Sequence, residues 1–210
     1  MVSTNVVPRV IDLSHYENVQ DKFAGAKAFG IWGVINKVTE GRGVQDHSFG
    51  WRRGPARDMG LLYGGYHYMS PGDIEEQVSW FLTNIGTDIS DLLLALDHED
   101  PKVPLSDVQK WLQLVHDKVG RWPKLYSGFL IKQQLGTKTD PFWKNIDLWL
   151  SQYGPKPVCP KQWPTQWLWQ YTGDGVGPLP HNVPGITCAK GLDINHYSGS
   201  LEKLKAEWVK

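Results

Sequence analysis

Eight short, mostly apolar runs separated by stretches of helical periodicity predict an α/β barrel of parallel strands closed on itself. Three observations carry that prediction. The apolar runs are nearly continuous, as strands covered on both faces require. Amphipathic helical patterns lie between several of them. Polar residues gather at the downstream ends of the runs, where a parallel barrel opens its mouth.

In chain order, strands are expected at residues 6–14, 31–39, 61–69, 91–99, 122–127, 147–153, 167–171 and 192–197. Residues 46–59 carry a weak helix that Gly54 and Pro55 are expected to kink or break. Ile74, Val78, Phe81, Leu82 and Ile85 form one helix face, with Gly86 after it. Leu105, Val108, Leu112, Val115 and Val119 form another, with Ser106 or Asp107 as its cap and Gly120 as its stop. Beyond Gly136 the helical pattern thins. The segment from Tyr153 to Trp167 holds Pro155, Pro157, Pro160 and Pro164 and reads as loop. Leu201, Leu204 and Trp208 mark a short terminal helix. The rival is a doubly wound open sheet. That fold usually places a glycine-rich phosphate loop after its first strand, and Ser14-His15-Tyr16-Glu17 is nothing of the kind.

Composition narrows the function. The 210 residues are 40% hydrophobic and 21% charged, enough for a core and too little charge for disorder. With no linker long enough to divide it, the chain reads as one domain over residues 1–210. Lys and Arg together number 22, as do Asp and Glu, so bulk charge favours neither nucleic acid nor an anionic membrane. No stretch is long and apolar enough to span a bilayer, and residues 1–10 lack a basic start followed by an apolar block. The expectation is therefore a chain with no membrane anchor that stays in the cytoplasm of its host cell until it is released. Cys159 and Cys188 belong to no metal-type spacing and read as free thiols, a loop disulfide being the lesser alternative. Eleven Trp, eight Tyr and six Phe are the unusual feature, and aromatic faces suit carbohydrate.

The chemistry gathers at strand ends. Asp12 closes the first strand, Asp97 and Glu99 the fourth, and Asp193 belongs to the eighth. Strands one and eight are neighbours in a closed barrel, so Asp12 and Asp193 should lie side by side. Residues i and i+2 share a strand face, so Asp97 and Glu99 point together while His98 points away. Adjacent carboxylates cannot all ionise easily, and one that keeps its proton near neutrality is a general acid. Paired carboxylates without a metal or cofactor suit glycoside hydrolysis. A metal site from His67, His98 and the carboxylates has no supporting spacing. Tyr66 and Tyr68 flank the acidic ring as sugar contacts or as core, and Lys37 reads as an ion-pair partner ahead of a substrate contact.

These blocks resemble the family-25 glycoside hydrolases, the Chalaropsis-type lysozymes that include many phage endolysins. The resemblance runs through Val10-Ile11-Asp12-Leu13-Ser14, Asn36-Lys37-Val38-Thr39-Glu40-Gly41, Gly64-Gly65-Tyr66-His67-Tyr68, Leu96-Asp97-His98-Glu99, Leu168-Trp169-Gln170-Tyr171 and Leu192-Asp193-Ile194-Asn195. It implies an irregular TIM-like (β/α) barrel with eight strands and about five helices. It also implies hydrolysis of the β-1,4 bond between N-acetylmuramic acid and N-acetylglucosamine in bacterial peptidoglycan by a monomer, with retention. On this reading Glu99 is the catalytic acid and Asp12, Asp97 and Asp193 surround it. Trp169, Tyr171 and Asn195 join Tyr66, Tyr68 and Lys37 as substrate-binding candidates. The Pro-rich segment 152–166 departs from the family pattern, and no wall-binding repeats follow. A chitinase-like glycosidase and a non-catalytic sugar-binding barrel are the alternatives.

Overall fold

In the computed structural model, which describes residues 7–210, eight strands close into a barrel: β1 (Arg9–Leu13), β2 (Ile31–Glu40), β3 (Leu62–Tyr68), β4 (Leu93–Asp97), β5 (Lys124–Ser127), β6 (Leu148–Ser151), β7 (Leu168–Thr172) and β8 (Asp193–His196). Val6, where the first predicted strand begins, lies outside the described residues, as does most of the segment 1–10 read for a leader. Strands β1 to β7 pair in chain order and in parallel. β8 closes the ring between β7 and β1, and it is antiparallel to both.

That last strand corrects the expected all-parallel barrel. A parallel return needs a crossover of a dozen or more residues, usually a helix. The connection from β7 to β8 is long enough but contains no helix, only Gly173, Gly175, Gly177, Pro178 and Pro180 among its turns and a short strand at Ile186–Thr187. The chain therefore doubles back.

Among the described residues six helices cover the barrel: α1 (Ala24–Ala28), α2 (Ser48–Asp58), α3 (Ile74–Ile85), α4 (Leu105–Val119), α5 (Phe129–Leu135) and α6 (Leu201–Glu207). A 3-10 turn follows at Pro141–Asn145. Asp73 caps α3 by accepting from the Glu76 amide, and α4 ends at Gly120 in the left-handed conformation, φ 76°. At the other end of α4 the N-cap is Pro104, not Ser106 or Asp107, and no side chain caps it. Pro55 does not break α2. The carbonyl that loses its donor belongs to Trp51, which stands on the exposed side of the helix.

Strand alternation divides the apolar residues into two cores. Ile11, Val34, Leu94, Leu96, Leu125 and Leu150 face the helices. Val10, Ile35, Leu93, Ala95, Tyr126, Trp149 and Leu168 face the lumen. α6 closes the lumen from below, where Leu204 and the fully buried Trp208 join the inner core. The Trp208 indole donates to the Tyr63 carbonyl at 2.8 Å. A Cβ at Gly33 would stand 2.8 Å from the Trp208 ring, so the close approach of strand and indole requires glycine there.

His67 and His98 belong to the outer layer. His67 bonds Thr39 and Gln77 and stacks on Trp111, while His98 bonds Gln134 of α5. Among the described residues no group of three or more His, Cys, Asp or Glu is arranged to hold a metal ion, and Cys159 and Cys188 are both free.

Candidate active site

Moving up the lumen from its floor, each inward row changes from apolar to polar within one or two steps of two residues. Val10 gives way to Asp12, Ile35 to Lys37, and Leu93 and Ala95 to Asp97 and then Glu99. On β8 the order is reversed because the strand runs downward. Tyr197 lies lowest, then Asn195, then Asp193 at the top. The antiparallel register places Asp193 opposite Asp12. The mouth thus collects four carboxyls. Asp12, Asp97, Glu99 and Asp193 line one cavity of about 100 Å³ together with Tyr66, Tyr126 and Trp149. Through Asp12, Tyr66 and Asp193 it continues into a space of about 430 Å³ bordered by Tyr16, Glu17, Asp174 and Lys190.

Asp12 is fixed by neutral amides. Asn195 donates to its Oδ2 at 2.7 Å, and Gln170 Nε2 reaches both of its oxygens, at 3.2 and 3.1 Å. Those amides are themselves held. Asn195 Oδ1 accepts from the Trp149 indole at 2.6 Å, and Gln170 Oε1 accepts from the hydroxyls of Tyr126 and Ser151 at 2.9 and 3.0 Å. Every polar atom of this chain is spoken for, which locks the Asp12 carboxyl in one orientation. Asp97 is different. It is buried, and among the described residues its Oδ1 has no hydrogen-bond partner.

Burial is the main force on all four acids, and neighbouring carboxylates add to the rise. It pushes Asp12 up to about 7 against the amides of Asn195 and Gln170. Asp193 is pushed to about 9 by burial and then by Asp12 and Asp174. Asp97 is raised well above its ordinary value by burial, Glu99 and Asp12, with Lys37 pulling the other way. Glu99 stands exposed on the rim, yet the protein crowded around its base raises it too, and the Tyr126 hydroxyl partly offsets the rise. The protons belong to the cluster and not to one residue. Such a cluster retains protons close to neutrality. Asp193 is packed tightly from behind: a Cβ at Gly173 would collide with its Oδ1 and with the Tyr153 hydroxyl.

Lys37 faces the acidic ring by alternation from Ile35, and a one-residue bulge follows it at Val38. β2 and β3 pair Lys37 with Tyr66, then Thr39 with His67, so Lys37 and Glu40 fall on one face despite their odd spacing. The two form an ion pair, and the Lys37 ammonium lies 5.0 Å from the centre of the Tyr68 ring.

Three sequence expectations change here. Gln170 points into the lumen, so its neighbours Trp169 and Tyr171 point outward. Trp169 donates to the Gln152 carbonyl and packs on Tyr171 and His196. Neither lines the acidic cavity. Asn195 is fully buried and bonded to Asp12, Val10 and Trp149, which makes it a positioning residue and not a sugar contact. Of the other substrate-binding candidates, Tyr66 lines both spaces, while Lys37 and Tyr68 stand behind it. Tyr126, Trp149, Tyr153, Gln170 and Asp174 surround the acids as well, beyond the candidates that the sequence motifs offer. Tyr126, Trp149 and Gln170 occupy inward positions on predicted strands, a signal that the alternation already contains.

Residues 11–178, well over half of the chain, match the family model Glycosyl hydrolases family 25. The chain is 28% identical over 177 residues to YegX of Escherichia coli K12, covering 81% of this chain but only 60% of YegX. It is 28% identical to the N,O-diacetylmuramidase of Arthroderma benhamiae, over 76% of this chain and 74% of that protein. The solved muramidase from Trichobolus zukalii superposes with a TM-score of 0.78 at 26% identity, covering 96% of this chain and 98% of that one. With the family model matching most of the sequence, this chain belongs to glycosyl hydrolase family 25.

Proposed function

We propose that the protein is an N-acetylmuramidase, cleaving the β-1,4 bond between N-acetylmuramic acid and N-acetylglucosamine in bacterial peptidoglycan, with its site of action in the cell wall. The observation that carries this reading is the cluster of four carboxyls around one cavity at the barrel mouth, each held above its ordinary range, in a chain of a glycoside hydrolase family. The names of the Arthroderma and Trichobolus proteins support the same substrate.

In this mechanism Glu99 is the general acid, because it alone of the four is exposed on the rim while still holding its proton above the usual range. It gives that proton to the departing glycosidic oxygen. Asp12 has both oxygens engaged by Asn195 and Gln170, which suits a fixed charge that stabilises the oxocarbenium-like transition state. Asp97 has a buried, unpartnered Oδ1 beside Glu99. The Asp97 carboxyl also lines the cavity, where its ionised form would accept from a 2-acetamido N–H of the substrate and so turn the acetamido oxygen into the internal nucleophile. Water then opens the cyclic intermediate, and two inversions give net retention. Direct attack by Asp193 is the second reading, favoured by its place across the cavity from β4, and it requires Asp193 to have passed its proton to the cluster first.

Digestion of purified peptidoglycan tests the function. New reducing ends on muramic acid are expected. Ends on N-acetylglucosamine, or newly freed amino groups, would overturn it.

A further inference from the structure

The catalytic cavity is small, yet a much larger space lies beside it on the same face of the barrel. The connections after β1 and β2 enclose about 720 Å³, within the ~300–1,000 Å³ usual for ligand sites. It adjoins the catalytic groove through Glu17, which borders both, and Tyr16 and His15 form the ridge between them, their rings 4.0 Å apart. Trp51 stands on its outer wall, 77% exposed, with its ring stacked near His47 at 6.4 Å and 23°. Tyr16 is equally exposed. Large aromatic faces left open to water beside a polymer-cleaving groove call for an occupant.

The buried charges of this space, Asp46 and Arg52, are already used, while Lys22 lies exposed in its lining. Asp46 accepts from the His15 and Ser48 amides, from His15 Nδ1 at 3.1 Å and from Ser48 Oγ at 2.5 Å. The buried Arg52 guanidinium is absorbed by Ser14 O, Glu17 O, Asn36 Oδ1 and Ser48 Oγ. A charged peptide would find both buried charges taken. A flat, neutral pyranose ring finds Trp51.

We propose that this space is a distal sugar subsite, in which Trp51 stacks on a pyranose ring of the same glycan strand whose scissile bond lies at Glu99, with Tyr16 guiding the strand across the ridge. The proposal rests on the muramidase reading and adds where the strand is gripped beyond the reacting sugars.

The test uses peptide-free glycan strands, prepared from peptidoglycan with an amidase and separated into tetrasaccharides and long strands. Trp51→Ala should raise KM for long strands roughly 3–10-fold, the worth of one stacked ring, with kcat unchanged and tetrasaccharide cleavage unaffected. Trp51→Phe should restore most of the loss, and thermal melting should match wild type because the side chain is exposed. Equal KM values for wild type and Trp51→Ala on long strands would overturn the subsite while leaving the muramidase reading intact. A defect seen only on peptide-bearing wall would overturn it in favour of a stem-peptide site. Wild type cleaving no strand of any length would overturn the muramidase reading and the subsite with it.

Discussion

The two ends of the barrel lumen are built from the same strands and obey opposite rules. At the floor, Val10, Ile35, Leu93 and Ala95 meet Trp208 and Leu204 in a dry, closed layer. Two residues further along the strands, Asp12, Lys37 and Asp97 stand in a polar layer, with Asp193 beside them and Glu99 above. The floor gains stability from burial. The mouth holds four acids together against their mutual repulsion and desolvation. The contrast shows where this molecule stores fold and where it stores chemistry, and it predicts that the two can be broken separately.

The largest effect is expected at the mouth. Glu99→Gln keeps the shape and removes the transferable proton, so wall lysis should fall by ~10²–10⁴-fold or more, while thermal melting does not fall below the wild-type value. Turbidity clearing equal to wild type would remove Glu99 from its role. At the floor the split reverses. Trp208→Ala empties the plug beneath the barrel and should cost about 3–5 kcal/mol in denaturant unfolding, with kcat per folded molecule little changed. A loss of kcat without a loss of stability would erase the division between the ends.

Asp193→Asn sharpens the comparison through pH. Asp193 rises from 3.8 when unfolded to about 9 when folded, so the folded state binds more protons between those values. Stability linked to such a group is full below about pH 4 and is lost as pH rises towards about 9. The variant should therefore be more stable than wild type at neutral pH, with a flatter decline on the alkaline side, and less active. An identical pH dependence of melting in the two proteins would contradict the raised acid. The smallest effect is assigned to Lys37→Met. Without the ammonium, Asp97 should hold its proton to higher pH and the acid limb of the kcat profile should move up.

Much of this contrast was written in the alternation of the strands. The spacing of Asp97 and Glu99 gave their common direction, and the closure of the barrel gave the Asp12–Asp193 pairing. Direction was not legible in β8, because an alternating pattern reads the same both ways. The Gly- and Pro-rich connection before it held the clue. Trp169 and Tyr171 attracted attention as aromatics, while parity already assigned the lumen to Gln170 between them. α1 and α5 span five and seven residues, too short for a 3.6-residue period to declare itself. The large space beside Trp51 is made by two loops that meet only after folding, and no spacing within either loop announces it.

The central claim is that the mouth of the barrel keeps protons where the rest of the surface does not. Carboxyl-carbon NMR titration of the folded protein reads this residue by residue. Asp12 and Asp193 should titrate near neutrality or above, and Glu99 and Asp97 above their ordinary range, while the exposed Asp73 and Asp117 titrate below theirs. If all four mouth carboxyls instead lose their protons at the ordinary values of exposed Asp and Glu, the cluster holds no proton to give and the account fails.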